Sequence, residues 1–515
     1  MKRCPQCNRI ETDDALGFCR MDGTRLIADA DVSEPATAIL PGTRGNAELT
    51  TGHLQAGPSI AVLPFLNMSA DLENEYFCDG LAEELLNALT KIDDLKVAAR
   101  TSSFSFKGKN VNVDEIGHAL HVKTVLEGSV RKSGNRLRIT VQLVNAADGY
   151  HLWSERYDRE MKDVFDVQDE ITLAVVGALK LRLLGDAREE VLKRHTEDSA
   201  AYQAYLEGRF YWYKRSIDGL NRSIECFNRA LKIDPSYALA HLGLADSYNI
   251  LGFYTMRPPK ETFPQAKAAA TKALGIDPSL AEAQASIAYA LFYHEWDWAA
   301  ADATVRQAIA LKPDYAIAHQ YYGNFLTLMA RFEEALDEFR RTIKLDPLSL
   351  IGNAALGWGY YFARQYDQSI EQLRKAIELD RNFDTAHFWL GSVYAESEMF
   401  TEAIDELETA VGLSGNRAGI SASLGYVYAL TGERAKASQI LAELAEISRE
   451  KYVSPYRIAN IHTALGDNDE AFAWLERAYD DRSHLLAFLN VDPRVDFLRG
   501  DARFVDLVRR VGLPQ

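Results

Sequence analysis

The chain holds 515 residues, more than one hydrophobic core organises, so several folding units are expected. A hydrophobic share of 47% with a charged share of 25% fits a soluble globular build and argues against wholesale disorder or a membrane-spanning chain. With 57 Lys and Arg against 74 Asp and Glu, the formal charge of -17 offers nucleic acid or anionic lipid no global positive field, so any such binding must be local.

Five cysteines are too few for a disulfide framework, and Cys4, Cys7 and Cys19 all fall near the amino terminus, which points to a metal and a reducing compartment. Cys4-Pro5-Gln6-Cys7 and Cys19-Arg20-Met21-Asp22 have the spacing of two bites on one tetrahedral ion. The pattern resembles a short zinc ribbon with Asp22 in place of the usual fourth thiolate. A carboxylate oxygen can ligate zinc at about 2.0–2.2 Å, so Cys4, Cys7, Cys19 and Asp22 are the expected ligands of one structural zinc. A head of this size, residues 1–27, cannot bury enough apolar area to fold unaided, and the metal would supply folding energy. Its basic and acidic residues are mixed, which argues against a nucleic-acid stripe. Residues 28–58, rich in Ala, Thr, Gly and Pro without apolar periodicity, read as a flexible linker. No signal-like apolar core follows Met1, so a cytoplasmic, unanchored location is the expectation.

From residue 59 the pattern is that of an α/β domain. Ser59 to Phe65 is a compact apolar strand signal, Leu81, Leu85 and Leu89 mark a helix, and Leu95 to Ala99 reads as a second strand. Val113 to Leu120 reads as a short helix, on which His118 and His121 are surface residues rather than a metal pair. Three strands follow, Thr124–Arg131, Arg136–Asn145 and Tyr150–Tyr157, separated by Gly134-Asn135 and Asp148-Gly149 turns. Leu137, Ile139, Val141 and Leu143 alternate with polar residues, so one face of the meander is core and the other is wet. Arg131, Lys132, Arg136, Arg138 and Arg156 could gather on the wet face as a small anion site.

The segments Ile60 to Phe65, Glu75 to Leu81, Ala99 to Phe104, Leu126 to Arg131 and His151 to Asp158 resemble the TolB amino-terminal-like (FlgO-like) module, over about residues 59–184. The resemblance implies a bacterial protein and a regulatory context, since such modules often stand between a signalling head and a helical-repeat tail. The domain itself is assigned residues 59–160, and residues 161–195 a helical connector.

Beyond the connector the chain repeats itself. Ala230, Ala273, Ala308, Thr342, Ala376, Ala410, Leu444 and Ala478 hold one position, at spacings that settle to the tetratricopeptide period from Ala308 onward; Gly323, Gly357, Gly391 and Gly425 repeat in a second register. Residues 196–480 are therefore read as about eight repeats and residues 481–515 as a capping helix. Met256 to Lys260 is expected to loop out between helices, and Trp296 to Trp298 to carry the extra residue of the next unit. Stacked helix pairs form a superhelix with a concave groove. By the repeat class, Gln320, Asn324, Trp358, Tyr361, Phe388, Ser392 and Tyr426 face that groove as a protein- or peptide-binding site. The carboxylate clamp of chaperone-binding repeats is poorly matched, because Gln320 and Ala354 stand where lysine would.

No catalytic motif is present: no H-E-x-x-H, no G-x-S-x-G, no phosphate-binding loop. The expectation is a multidomain, non-enzymatic cytoplasmic regulatory scaffold with a structural zinc head, an α/β middle domain and an all-α repeat arm that binds a protein partner. Two alternatives stay open: a nucleotide or small-molecule sensor in the α/β domain, and an adaptor that contacts nucleic acid through the head.

Overall fold

The computed structural model describes residues 57–514, apart from residues 70, 72, 73 and 416, together with three two-residue strands near the amino terminus. Contacts divide the chain into two compact units, Met1–Gln55 and Ala56–Gln515. In the first, β1 (Lys2–Arg3) pairs antiparallel with both β2 (Ile10–Glu11) and β3 (Ile27–Ala28). The expected zinc ligands Cys4, Cys7, Cys19 and Asp22 lie outside the described residues, as does the linker from residue 29 to residue 56.

The second unit opens with a mixed sheet in the order β6-β4-β7-β8-β9, in which β5 also pairs with β7. The strands are β4 (Ser59–Val62), β5 (Leu66–Asn67), β6 (Lys96–Val97), β7 (Thr124–Ser133), β8 (Arg136–Asn145) and β9 (His151–Glu160). β4 runs parallel to β6 and β7, and all four of its residues are buried, as a strand covered on both faces requires. One face carries α1 (Glu75–Leu89) and α4 (Val164–Ala178), which pack Leu81, Leu85, Val167 and Ile171 on Ile139, Val141 and Leu143. The other is covered by α3 (Val113–Leu120), whose Ile116 and Leu120 meet Ala61 and Val125. The expected connector is thus divided. Its first helix and Val191 of α5 (Asp186–Val191) belong to the sheet's own core, which is continuous with the first repeats.

Eight antiparallel helix pairs follow: α6 (Ser199–Tyr213) with α7 (Ile217–Ile233), α8 (Ala238–Phe253) with α9 (Pro259–Ile276), α10 (Ala281–Ala290) with α11 (Trp298–Leu311), and α12 (Ala316–Leu328) with α13 (Phe332–Leu345). Then come α14 (Leu350–Phe362) with α15 (Tyr366–Leu379), α16 (Asp384–Glu396) with α17 (Phe400–Leu413), α18 (Ala418–Leu430) with α19 (Arg434–Ile447), and α20 (Pro455–Leu465) with α21 (Asn468–Asp480). The repeated small position is needed for close packing: the residues from Ala230 to Ala478 in that register are all buried. The glycine register is tighter still. A methyl group on Gly323 would sit 2.6 Å from the Phe339 ring, and one on Gly357 would sit 2.6 Å from Leu373. Each turn between paired helices passes through a left-handed residue, Ala330, Arg364, Glu398, Gly432 and Gly466 in successive repeats. In each, an amide reaches back to a carbonyl five residues earlier, as Arg331 N does to Leu326 O and Gln365 N to Tyr360 O, both at 2.9 Å.

Two sequence expectations change here. The long second unit does not loop its insertion out. Most of the extra residues lengthen α8 and α9 to 16 and 18 residues, where α12 and α13 have 13 and 14. The extra residue expected at Trp296 to Trp298 is taken up just before, by a π-helical turn at Leu291–Glu295 that ends on left-handed Trp296. Residues 481–515 are also more than a capping helix. α22 (Ala502–Val511) is preceded by two tight 3-10 turns, His484–Phe488 and Pro493–Leu498.

Polar cross-links recur with the repeat. His319 has Nδ1 2.6 Å from Glu338 Oε2 and Nε2 2.9 Å from the Pro313 carbonyl; His387, two repeats on, meets Glu406 and the Arg381 carbonyl at the same distances. A ring facing an acceptor at each nitrogen is satisfied on both sides only as the imidazolium. The repeat between uses a neutral version: Gln372 Nε2 donates to Asn353 Oδ1 at 2.8 Å, and Asn353 Nδ2 donates to the Pro347 carbonyl at 3.1 Å. Burial is the largest single influence on His319 and opposes its charge, yet the hydrogen bonds to Glu338 and the Pro313 carbonyl together with the Glu338 charge outweigh it and raise the pKa; for His387 the bond to Glu406 is the leading cause. A histidine whose folded pKa is raised stabilises fully below its unfolded value, about 6.5, and loses that contribution as pH climbs through the folded value. Replacing His319→Asn with Glu338→Gln, which copies the Asn353–Gln372 pair, should therefore flatten part of the stability loss above about pH 6.5. Urea denaturation at a series of pH values reads this out, and an unchanged slope would mean a neutral ring in the folded state.

Candidate functional site

The α/β domain and the repeats close around a shared interior. Ser102, on α2 (Arg100–Phe104), donates its hydroxyl to Asp346 at 2.5 Å and accepts from the Leu348 amide at 2.9 Å, while its own amide donates to Asp346 at 3.2 Å. Leu348 packs against the apolar cluster on the α3 face of the sheet. A second joint lies at the first repeat. Buried Glu83, on α1, accepts from Arg100 Nε at 2.7 Å and from Arg209 Nη2 at 2.8 Å, with the Tyr213 hydroxyl at 3.1 Å. The Arg100 guanidinium lies 3.3 Å from the centre of the Tyr213 ring. Burial would raise the Glu83 pKa, but the two guanidiniums win and lower it.

Between these joints lies a cavity of about 2020 Å³ lined by α1, α2, the first helix of every repeat pair and the segment from His484 to Arg494. Its lining mixes aromatic and charged side chains. At the end near α1, burial followed by the charge of Glu83 pushes Glu84 up to about 7, and burial pushes Asp246 up to about 6. The carboxy-terminal segment supplies part of the wall: Phe488 stacks on Phe362 with ring centres 5.0 Å apart, and His484 packs 5.3 Å from the Phe253 ring.

Of the seven expected groove residues, Gln320, Asn324, Trp358 and Phe388 line this cavity. Gln320 is half-buried and the other three are buried. Trp358 is in edge contact with Phe488 at 5.9 Å, so the chain itself covers part of that ring. Tyr361, Ser392 and Tyr426 are buried behind the wall: Tyr361 against Phe362 and Trp389, Ser392 bonded to the Phe388 carbonyl, and Tyr426 donating to Glu396 at 3.0 Å. Of the expected basic cluster on the α/β domain, Arg131, Arg136, Arg138 and Arg156 share one face, with Arg131 opposite Arg138 and Arg138 opposite Asp158, whereas Lys132 lies opposite the core residue Leu137 on the other face. Asp158 ties Arg138 at 2.7 Å and Arg156 at 3.5 Å. His118 and His121 are exposed.

Sequence spacing did not single out Glu83, Arg100, Arg209 or Arg457. The one signal available was composition. Arg457 is the only arginine or lysine on α20, whose other residues are largely apolar.

Family models match at three places: the HilA/YgeH-like transcriptional regulator second domain at residues 55–173, a TPR repeat at residues 360–398 and a tetratricopeptide repeat at residues 456–480. The putative adenylate cyclase 3 of Rhizobium meliloti (strain 1021) is 42% identical over 192 residues, 37% of this chain and 33% of its own length. The transcriptional regulator HilA of Salmonella typhimurium is 19% identical over 308 residues, 59% of this chain and 54% of its own. The chain thus spans about a third and about half of these curated relatives. A solved structure of the human IFIT1 dimer with m7Gppp-AAAA aligns over 61% of this chain and 77% of its own, at 14% identity and a TM-score of 0.44. The carboxy-terminal arm is a set of tetratricopeptide repeats, a repeat class suited to protein–protein interaction and scaffolding.

Removing one partner from a buried ion pair leaves an uncompensated charge and costs about 3–5 kcal/mol. Glu83→Ala should destabilise the unit by that order in urea denaturation. A cost below about 1 kcal/mol would mean that the joint is dispensable.

Proposed function

We propose that this chain is a non-enzymatic regulatory scaffold that takes a segment of a protein partner into the interior of its repeat arm, against the wall formed by Gln320, Asn324, Trp358 and Phe388. The observation that carries this reading is the size and lining of the cavity. Small-molecule sites run to about 300–1,000 Å³. A partly open space of about 2020 Å³ exceeds that range and suits an extended peptide. Buried aromatic anchors beside amide groups are the surface chemistry of peptide recognition. The regulatory part of the reading is supported by the curated relatives, named as an adenylate cyclase and a transcriptional regulator. It accords with the TolB amino-terminal-like resemblance of residues 59–184 and with a bacterial cytoplasmic setting.

For the head we propose one structural zinc held by Cys4, Cys7, Cys19 and Asp22. Support comes from the spacing of the ligands and from the donor chemistry: three thiols and a carboxylate match a closed tetrahedral site. In sequence, Cys4 and Cys7 fall between β1 and β2, and Cys19 and Asp22 between β2 and β3.

Two experiments address these parts separately. Peptides selected from a displayed library against the full chain should lose at least about tenfold in affinity when Gln320→Trp narrows the cavity, with the melting temperature unchanged. Selected peptides that bind both proteins alike would put the partner surface elsewhere. Chain purified under reducing conditions should carry one zinc by elemental analysis, and Cys4→Ser with Cys19→Ser should remove it; metal retained by that variant would overturn the ligand set.

A further inference from the structure

Three guanidiniums converge where α16, α18, α20 and the segment from His484 to Arg494 meet the cavity. Two of them are neutralised within the fold. Arg494 forks onto Asp492, with Nε 2.9 Å from Oδ1 and Nη2 2.8 Å from Oδ2, and Asp492 also accepts from the Tyr456 hydroxyl at 3.0 Å. Arg417 pairs with Asp384. Arg457 has no such partner. Among the described residues no carboxylate forms an ion pair with it, and its Nε is buried without a hydrogen-bond acceptor.

Its seat is nevertheless tightly formed. The guanidinium lies 5.2 Å from the centre of the Phe388 ring and closes on the α18 backbone at Gly419, where a methyl group would stand 2.9 Å from Nε. Among the described residues, Arg417 Nε and His484 Nδ1 are likewise buried without a hydrogen-bond partner. Burial, then the like charges of Arg494 and Arg417, lowers the Arg457 pKa to about 9, so the charged form is held there at a cost. Arg457 lines the cavity, its planar guanidinium is fixed by packing, and among the described residues no carboxylate pairs with it, so it matches an oxyanion in geometry as well as charge.

We propose that Arg457, with Arg417 and His484 beside it, forms an oxyanion-binding subsite in the cavity that takes a carboxylate or phosphate group. The proposal deepens the peptide-capture reading and rests on it for the larger ligand: the captured segment would present an acidic or phosphorylated group at this point. The anion chemistry itself does not depend on peptide capture, so it can be tested alone.

The probe is inorganic phosphate, with acetate in parallel to separate phosphate from carboxylate preference and sodium chloride at matched ionic strength as the control. Calorimetric titration and thermal melts of the full chain are the readouts. Phosphate or acetate should bind the wild-type chain and raise its melting temperature beyond the chloride control. Arg457→Met keeps the apolar stem but removes the charge, so its affinity for the preferred anion should fall at least about tenfold. In anion-free buffer it should melt no lower than wild type, which a merely structural arginine would not allow. Gly419→Ala, which crowds the guanidinium while leaving the Arg417–Asp384 and Arg494–Asp492 pairs in place, should weaken the anion as well. Neither anion binding the wild type, or both variants binding like it, would overturn the subsite. If the subsite binds anions but no displayed peptide is lost on narrowing the cavity at Gln320, the peptide reading fails and the subsite stands.

Discussion

The arrangement depends on one requirement: charges and polar groups buried where the α/β domain meets the repeats must find partners across that boundary. Glu83 leaves water on α1 and is compensated by Arg100 of the same domain and by Arg209 of the first repeat. Asp346, in the turn between α13 and α14, is compensated by the amide and hydroxyl of Ser102. These contacts hold the α/β domain to two places far apart along the superhelix. The first helices of the repeats consequently share the lining of one cavity with α1 and α2.

The carboxy-terminal segment contributes to the same lining. Phe488 lies against Trp358 and Phe362, and the indole of Trp298 donates to the Val511 carbonyl at 3.1 Å, so the last residues are bound back onto the third pair. Arg364, at the left-handed turn of the fifth pair, reaches Asp496 at 2.9 Å. Aromatic residues that repeat spacing assigns to a partner therefore serve in part to seat the chain's own end. The open wall that remains, from Gln320 to Phe388, shares its space with residues of α1 and α2. A ligand that fills it meets both the repeats and the α/β domain.

Charge inside the cavity is unevenly compensated. Towards α1 burial shifts the carboxyls of Glu84 and Asp246 towards neutrality, and the charge of Glu83 adds to the shift at Glu84. Towards α20 a guanidinium is left over after Asp384 and Asp492 have been used. Low-dielectric surroundings make such a surplus costly in the empty cavity and favourable to an incoming opposite charge.

The sequence alone determined the local elements and their repetition, because those follow from short-range rules. Alternation fixed β8, and small residues at a constant period exposed the helix pairs, since close packing demands them whatever lies further away. Gln320, Asn324, Trp358 and Phe388 line the cavity for the same reason: a residue's place in the repeat sets the face it presents. Tyr361, Ser392 and Tyr426 satisfy the same spacing, yet they are buried behind the wall by neighbouring helices. Only the tertiary structure decided that Glu83 would meet Arg209, that Ser102 would meet Asp346, that α4 would join the sheet, that His484 to Arg494 would enter the interior and that Arg457 would be left without a counter-charge. The contact of Ser102 with Asp346 and the entry of His484 to Arg494 depend on how far the superhelix curves before it meets the α/β domain and its own end, a sum of small rotations over successive pairs that no single motif encodes.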